Sequence, residues 1–412
     1  MLSSSVRLGL TAGSPAAAAL LAYLVPRRAA GAARALALLL VAVCLGLLIS
    51  EASLISQGAR LTADYGALGG IRVLLRADPQ GIIVGIAAVV ATSLRLLERD
   101  MAPLHVAGVM LCCTGAVVAS LAGNAVVLFA GMELANAGAA MLLLGGGRGG
   151  RAAWVATGLE QAAALALLTA ALQLQTSTGT NDYSVLPAAA VGGSTAMLWI
   201  LAGTARLAAP AISPGGPRRL LAAWAATGAV PVAGIVLLRL REAVSGDMPL
   251  AAEGFSLALG TLVAVGAAAF ALRHRHDPSR AGRALLLLQA ALITSLCGVS
   301  GAAAATGLAA GLVALQLAVA SAPLWERAPK GVARWFAAAA LLAAGNLPLG
   351  VGATAVLLEL SAVTGLGRPL SLMVVALGGA VIAGAAAAGA ASMRAVTATP
   401  ARHGVVSPLP AA

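Results

Sequence analysis

The chain is 412 residues long, 60% hydrophobic and 10% charged, with a mean hydropathy of +0.96. Soluble domains carry roughly 25% charged residues because their surfaces must be solvated, so this composition excludes a soluble protein and indicates an integral membrane protein. The net charge of +12 is spread over short connections without a long basic or aromatic-interleaved tract, which fits membrane-topology charge rather than nucleic-acid binding.

A helix needs about 20 apolar residues to cross ~30 Å of hydrocarbon. Thirteen candidate spans follow in chain order, near 9–25, 35–56, 81–97, 104–121, 124–144, 152–173, 187–208, 220–240, 254–272, 284–300, 303–323, 334–364 and 370–393. The expected fold class is an all-α polytopic membrane protein with about 13 (12–14) transmembrane helices. Residues 1–26 loosely resemble a signal peptide, but the spans that follow make this stretch a first membrane helix. The seventh span runs into the proline- and glycine-rich ARLAAPAISPGGPRR. The twelfth is too long for a straight span and is interrupted by GNLPLGVGAT (345–354). Both stretches read as broken helices, because irregular backbone at membrane depth must be buried in protein.

If the turn with Arg27, Arg28 and Arg34 is cytoplasmic, alternation places 18 basic residues inside and 7 outside, with Arg206 left within or at the end of a span. That bias predicts an N-terminus outside and a C-terminus in the cytoplasm. Arginine greatly outnumbers lysine (Lys330 alone), and with the alanine richness this resembles the usage of a GC-rich bacterial genome, hence a bacterial inner membrane. Cys44, Cys112, Cys113 and Cys297 lie in apolar runs without metal or disulfide spacing and read as small buried residues. GGGRGG (145–150) lacks the strand and the Lys-Ser/Thr of a phosphate loop and reads as a connector. RHRHDPSR, with His274 and His276, reads as a basic turn rather than a metal site. No catalytic constellation and no cofactor site is expected.

Ionisable groups inside the membrane are functional candidates, since a charge at mid-depth costs ~2.5–3.5 kcal/mol even on insertion scales. Four are expected inside spans or at their ends: Glu133, Glu160, Arg206 and Glu359, accompanied by Asn136, Gln161, Gln289, Gln316 and Asn346. Glu133 and Asn136 are three apart and share a helix face. A carboxyl there can serve a proton relay, or it can be a protonated packing contact to a neighbouring helix, and spacing alone leaves both open. Arg206 does not release its proton, so it can pair with a carboxylate but not relay. Glu359 reads as solvated near the outer surface.

LFAGMELANAG (128–138) resembles the fifth-span motif LF-x-G-x-E-L-x-S of the antiporter-like membrane subunits of respiratory complex I, membrane-bound hydrogenases and Mrp cation/proton antiporters. Further segments match in order. RADPQG (76–81) stands where the family has D-x-L/F-S, and LQLQTSTGTNDYSVL resembles its sixth-span ending. LAGTARLAAPA, with Arg206 and Pro210, is similar to G-x-x-F-K-L-A-x-V-P-F. GAVPVAGIVLLRL, with Pro231, is similar to G-V-P-K-x-A-G-x-x-x-L-L-R-L and is closest to the subunit N branch. The ninth-to-tenth stretch LGTLVAVGAAAFALRHRHDPSRAGRALLLLQAALI and the twelfth-span LLAAGNLPLGVGATAVLLELSAV, with Pro348, also have counterparts.

The resemblance implies no redox centre and no cofactor. It implies two inverted five-helix repeats (101–240 and 241–395) with broken helices near 204–217 and 345–354, preceded by N-terminal helices (1–100) and followed by a cytoplasmic tail (396–412). It also implies a water-filled axis of Glu and Lys that moves protons or monovalent cations, with other membrane subunits of a complex as partners. By position Glu133 is the family glutamate. The lysine positions read Val155, Arg206, Val232 and Ala355, so this is a divergent member without the usual channel lysines.

The expected function is therefore a divergent antiporter-like subunit of an NADH:quinone oxidoreductase-type or membrane hydrogenase-type complex. It would contribute to ion translocation coupled to electron transfer through Glu133, Arg206 and Glu160, supported by Asn136 and the helix-breaking Pro210, Pro231 and Pro348. The alternatives are a non-pumping structural or assembly subunit of such a complex, with Glu133 as packing glue, or a stand-alone secondary transporter.

Overall fold

The computed structural model describes residues 3–299 except 69–70, 98–100, 145–149, 184, 187–190, 213–222, 245–247 and 275–277, together with 304, 306–309, 311–312, 315–316, 319 and 378. The expected break at 345–354, with Pro348, and also Lys330, Asn346, Ala355 and Glu359, lie outside the described residues.

Among the described residues, ten α-helices overlap the first ten expected spans: α1 (Ser4–Leu24), α2 (Ala30–Ser56), α3 (Pro79–Leu96), α4 (Pro103–Ser120), α5 (Ala125–Leu144), α6 (Gly150–Thr178), α7 (Gly193–Ile212), α8 (Val230–Ala243), α9 (Leu250–Arg273) and α10 (Pro278–Gly298). Six described helical stretches, α2 with its preceding 3-10 turn, α3, α4, α5, α6 and α9, are long and apolar enough to cross a membrane. The chain is a multi-pass helical membrane protein.

One feature corrects the all-α expectation. Residues 61–77, expected to be an outer connection, form an antiparallel hairpin of β1 (Leu61–Leu68) and β2 (Ile71–Ala77), with Leu61 opposite Ala77 and Leu68 opposite Ile71. A bulge between Asp64 and Ala67 holds Gly66 at φ +82, where a side chain would be strained. Arg72 closes the hairpin across the strands, its Nη2 2.6 Å from Asp64 Oδ2, and this contact holds the Asp64 carboxyl below the usual carboxylate range.

The hairpin marks one end of the bundle. Tyr65 donates to the Ser5 carbonyl at the start of α1, and Arg76 N donates to Leu121 O just past α4 (2.7 Å). Asn124 caps α5 by accepting from Val127 N (2.9 Å) and donates to Arg72 O (2.7 Å). Asp182, after α6, bridges to Asn124, while Glu242 on α8 reaches Arg76. Arg241 donates to Leu296 O (3.1 Å), Cys297 O (3.3 Å) and Val299 O around the C-terminus of α10, where a cation also meets the negative end of the helix dipole. The described helices thus run alternately away from and towards the hairpin, so the up-and-down order read from the sequence is realised through α10.

The centre of the bundle is built on glycine. Gly108 and Gly115 on α4 face Gly138 and Gly131 on α5, the two glycines of each helix standing seven positions apart. A Cβ at Gly115 would lie 2.5 Å from Gly131 O, and one at Gly138 would lie 2.7 Å from Gly108 O, so the two backbones touch. Without a hydrophobic force between helices in lipid, such close backbone approach is how spans associate.

Candidate functional site

Glu133 and Asn136 stand at mid-length of α5, Glu160 on α6 and Arg206 on α7, and the fold brings all four together. Arg206, Glu160 and Asn136 are fully buried, whereas Glu133 is half-buried. The direct counter-ion of Arg206 is Glu160, through Arg206 Nη1 and Glu160 Oε2. Arg206 Nη1 also donates to Asn136 Oδ1 (2.6 Å), and Asn136 Nδ2 donates to Glu133 Oε1 (3.1 Å). The amide has one possible orientation here. Arginine has no acceptor, so Asn136 must turn its oxygen to Arg206, which leaves its NH2 for Glu133.

Glu133 therefore reaches Arg206 through Asn136 rather than by direct pairing. Arg206 Nε and Nη2 and both oxygens of Glu160 complete no hydrogen bond among the described residues. The Arg206–Glu160 contact is thus ionic more than a well-aligned hydrogen bond. Buried polar atoms in this condition are the surroundings in which internal water is held.

Two local devices shape the site. Pro210, one turn after Arg206, has no N–H for the Arg206 carbonyl. The helix nevertheless continues through Ile212, so the break expected near 204–217 does not fall within 204–212; residues 213–217 are outside the described residues. The eighth span, where Pro231 was expected to disturb the helix, carries a π-helical turn at Ala225–Ala229 just before Pro231, which sits in the first turn of α8. The wider turn accommodates the missing proline donor. Gln316 donates to the Ala226 carbonyl within it. Gly228 brings the turn against the centre: a Cβ there would lie 3.1 Å from Cys112 Cβ and 3.7 Å from Ala135 Cβ, beside Asn136.

The remaining positions divide. Gln289 is buried on α10, Gln161 is exposed on α6 and Val232 is buried on α8. Val155 is exposed, on the side of α6 opposite the packed stripe Ala153, Ala156, Glu160, Ala163 and Leu167. Among α6 positions it is Glu160 that enters the interior. The cysteines Cys44, Cys112, Cys113 and Cys297 are free and buried.

Three polar groupings were missed in the sequence. Glu51 on α2 is fully buried and takes Thr11 Oγ1 of α1 at 2.7 Å. Thr204 and Thr294 join α7 to α10 through their hydroxyls (3.0 Å). At the hairpin end, buried Arg239 holds Asp78 (2.6 Å), Glu242 (2.7 Å) and the Ser120 carbonyl (3.0 Å), and lies 5.8 Å from the Tyr183 ring centroid. Arg76 pairs with Glu242 beside it. Asp78 meanwhile caps α3 through Gly81 N (2.9 Å). The signal for this cluster was the RADP segment and the arginine–acid alternation of RLRE, each too short to reveal its partner 160 residues away.

No family profile and no curated protein matches the chain. Solved structures do. A chain of the Mrp complex from Dietzia sp. DQ12-45-1b superposes with a TM-score of 0.75 at 20% identity, covering 95% of this chain and 47% of that one. A chain of the membrane-bound sulfane sulfur reductase, an archaeal respiratory membrane complex, gives 0.76 at 17% identity, covering 94% and 69%. A chain of respiratory complex I from Thermus thermophilus gives 0.71 at 18% identity, covering 94% and 89%. The chain spans about half the length of the Mrp chain. The chain shares its fold with chains of these three membrane complexes.

Proposed function

We propose that this chain is a non-redox membrane subunit of an ion-translocating complex of the NADH:quinone oxidoreductase or membrane hydrogenase type, nearest in motif to subunit N, and that it moves protons through the Glu133–Asn136–Arg206–Glu160 quartet. The observation that carries this reading is the buried chain of contacts joining two carboxyls to one guanidinium at mid-depth, a costly arrangement with no need in simple helix packing. Half-buried Glu133 is its accessible end. The likeness to subunits of multi-subunit complexes supports other membrane subunits as partners.

The reading includes the two inverted five-helix repeats, 13 spans, and a bacterial inner membrane with the N-terminus outside. That orientation is supported by the distribution of basic residues along the sequence, 18 on the side of Arg27, Arg28 and Arg34 against 7 on the other. Glu133→Gln in the assembled complex is expected to cut proton pumping several-fold while leaving co-purification of the partner subunits intact. Unchanged pumping would transfer the role to the second reading, a non-pumping structural subunit, which the apolar Val155 and Val232 favour.

A further inference from the structure

We infer that the cleft between α3, α8 and Gln316 is a binding site, entered from the bilayer, for a neutral lipid-soluble molecule with a hydroxyl or phenolic O–H at one end of an apolar body. The site lies apart from the quartet and does not depend on ion translocation.

The argument begins with a proline. In a π-helical turn each carbonyl accepts from the N–H five residues on, as Ala225 O does from Val230 N. The next donor in that pattern is residue 231, a proline, which has no N–H. Gln316 supplies the missing donor, its Nε2 bonding to Ala226 O. A carbonyl only accepts, so the amide has one orientation and Oε1 is left over. Gln316 is 7% exposed, and this oxygen is buried without a hydrogen-bond partner among the described residues.

The same side chain lines a cleft that, with its mouth, encloses about 500 Å³. That volume falls within the roughly 300–1,000 Å³ of small-molecule sites. Ile83 and Val84 of α3, Pro231 and Leu238 of α8, and Leu312 form much of the remaining wall. Leu238 adjoins Arg239 at the hairpin end, and Pro231 lies about 10 Å further along α8, at the level of the π-helical turn. The mouth is on the outer face of α3. Ile83 is 55% exposed there among the described residues, in line with Val90 and Leu94, which are also exposed.

The wall selects the occupant. No charged side chain is among the described residues that line the cleft. An ionic headgroup would therefore stay unpaired inside the membrane, which is costly. Water is held poorly, since an internal water needs about two to four polar partners and the deep end offers the Gln316 oxygen alone among the described residues. An apolar body with a single neutral donor satisfies both features: the aliphatic walls take the body, and its O–H pairs with Gln316 Oε1.

The test uses the full-length protein in phosphatidylcholine vesicles and a long-chain alcohol with a photoreactive diazirine in its chain. Cross-links mapped by mass spectrometry should fall within 80–87, 230–238 and 309–316. The methyl ether of the same probe keeps the body and loses the donor. It should label about two- to tenfold less, the worth of one neutral hydrogen bond. Gln316→Met should bring the two probes level by removing the acceptor. Ile83→Trp narrows the mouth from the exposed face of α3, away from the π-helical turn, and should weaken labelling by both. If Gln316→Met does not fold, the comparison of alcohol and ether in the native chain and in Ile83→Trp still decides. An unlabelled alcohol and an alkyl hydroquinone, added as separate competitors, tell which bilayer source of the O–H displaces the probe at the lower mole fraction. Equal labelling by alcohol and ether in the native chain, labels spread over the lipid-facing surface, undiminished labelling in Ile83→Trp, or displacement by neither competitor would each overturn the inference.

Discussion

Asn136 is the residue on which the geometry of the quartet turns. It carries no charge, yet its two ends fix which carboxyl touches the guanidinium and which stays one step away. Leucine at this position would remove the neutral acceptor of a buried cation. A hydrogen bond to a charged group is worth about 1.5–3 kcal/mol, so Asn136→Leu should lower unfolding stability in mixed micelles by about that amount. Hydrogen exchange should rise along α5 and α7 together, whereas a variant that loosened α5 alone would contradict the bridging role. Asn136 and Glu133 were legible from their i, i+3 spacing. The partner of Arg206 was not. Glu160 was named with Glu133 and Arg206 in one path, but nothing in the spacing made it the contact ion of Arg206, and counting from the family motif pointed to Val155 on this span. The better signal lay in α6 itself, where small residues recur at Ala153, Ala156, Ala163 and Ala164 with Glu160 among them, while Trp154, Leu165 and Leu172 face outwards. In a span the small residues mark the protein side, since lipid takes the large apolar ones as readily as a helix does.

At the scale of elements, α4 and α5 position the site through four glycines rather than through interlocking large side chains. A methyl at Gly131 would sit 2.6 Å from Ala119 N and 2.8 Å from Gly115 O, so the helices must separate to admit it. Gly131→Ala is expected to cost about 1–3 kcal/mol, the usual penalty of overpacking. Gly158→Ala on α6 meets nothing within 4 Å and should stay within about 0.5 kcal/mol of the parent. Denaturant titration of the two variants side by side distinguishes tight helix contact from a general dislike of alanine. The hairpin was missed although its signal was present. Leu68-Gly69-Gly70-Ile71 is a two-glycine link between short runs, and Leu61, Thr62, Ala63 and Asp64 alternate apolar and polar. The π-helical turn had a weaker sign, Pro231 after an unbroken apolar run, and proline alone does not say how a helix will absorb it.

Across the whole molecule, the Arg239 cluster ties the hairpin and α3 to the ends of α4 and α8. Arg239→Met removes the shared partner of Asp78 and Glu242. Breaking a buried pair costs about 3–5 kcal/mol, and the penalty here should fall below that range, because Asp78 and Glu242 keep partial access to water and Arg76 remains beside them. Deuterium uptake should increase through residues 61–81 and at the end of α8, with the centre of α5 and α6 unchanged. Uniform uptake across the bundle would show that the cluster supports global stability instead of this junction.

The sequence by itself determined the membrane, the order of the helices α1 to α10, and the candidacy of Glu133, because hydropathy and the cost of intramembrane charge act locally along the chain. Only the tertiary structure decided that Glu160 holds Arg206, that Asn136 stands between Arg206 and Glu133, and that Arg239 joins residues from four elements. Those outcomes depend on which helix faces meet, and no single segment contains that information. The buried charges make the distinction physical: each is tolerated only beside its partner, and the partner is supplied by another helix.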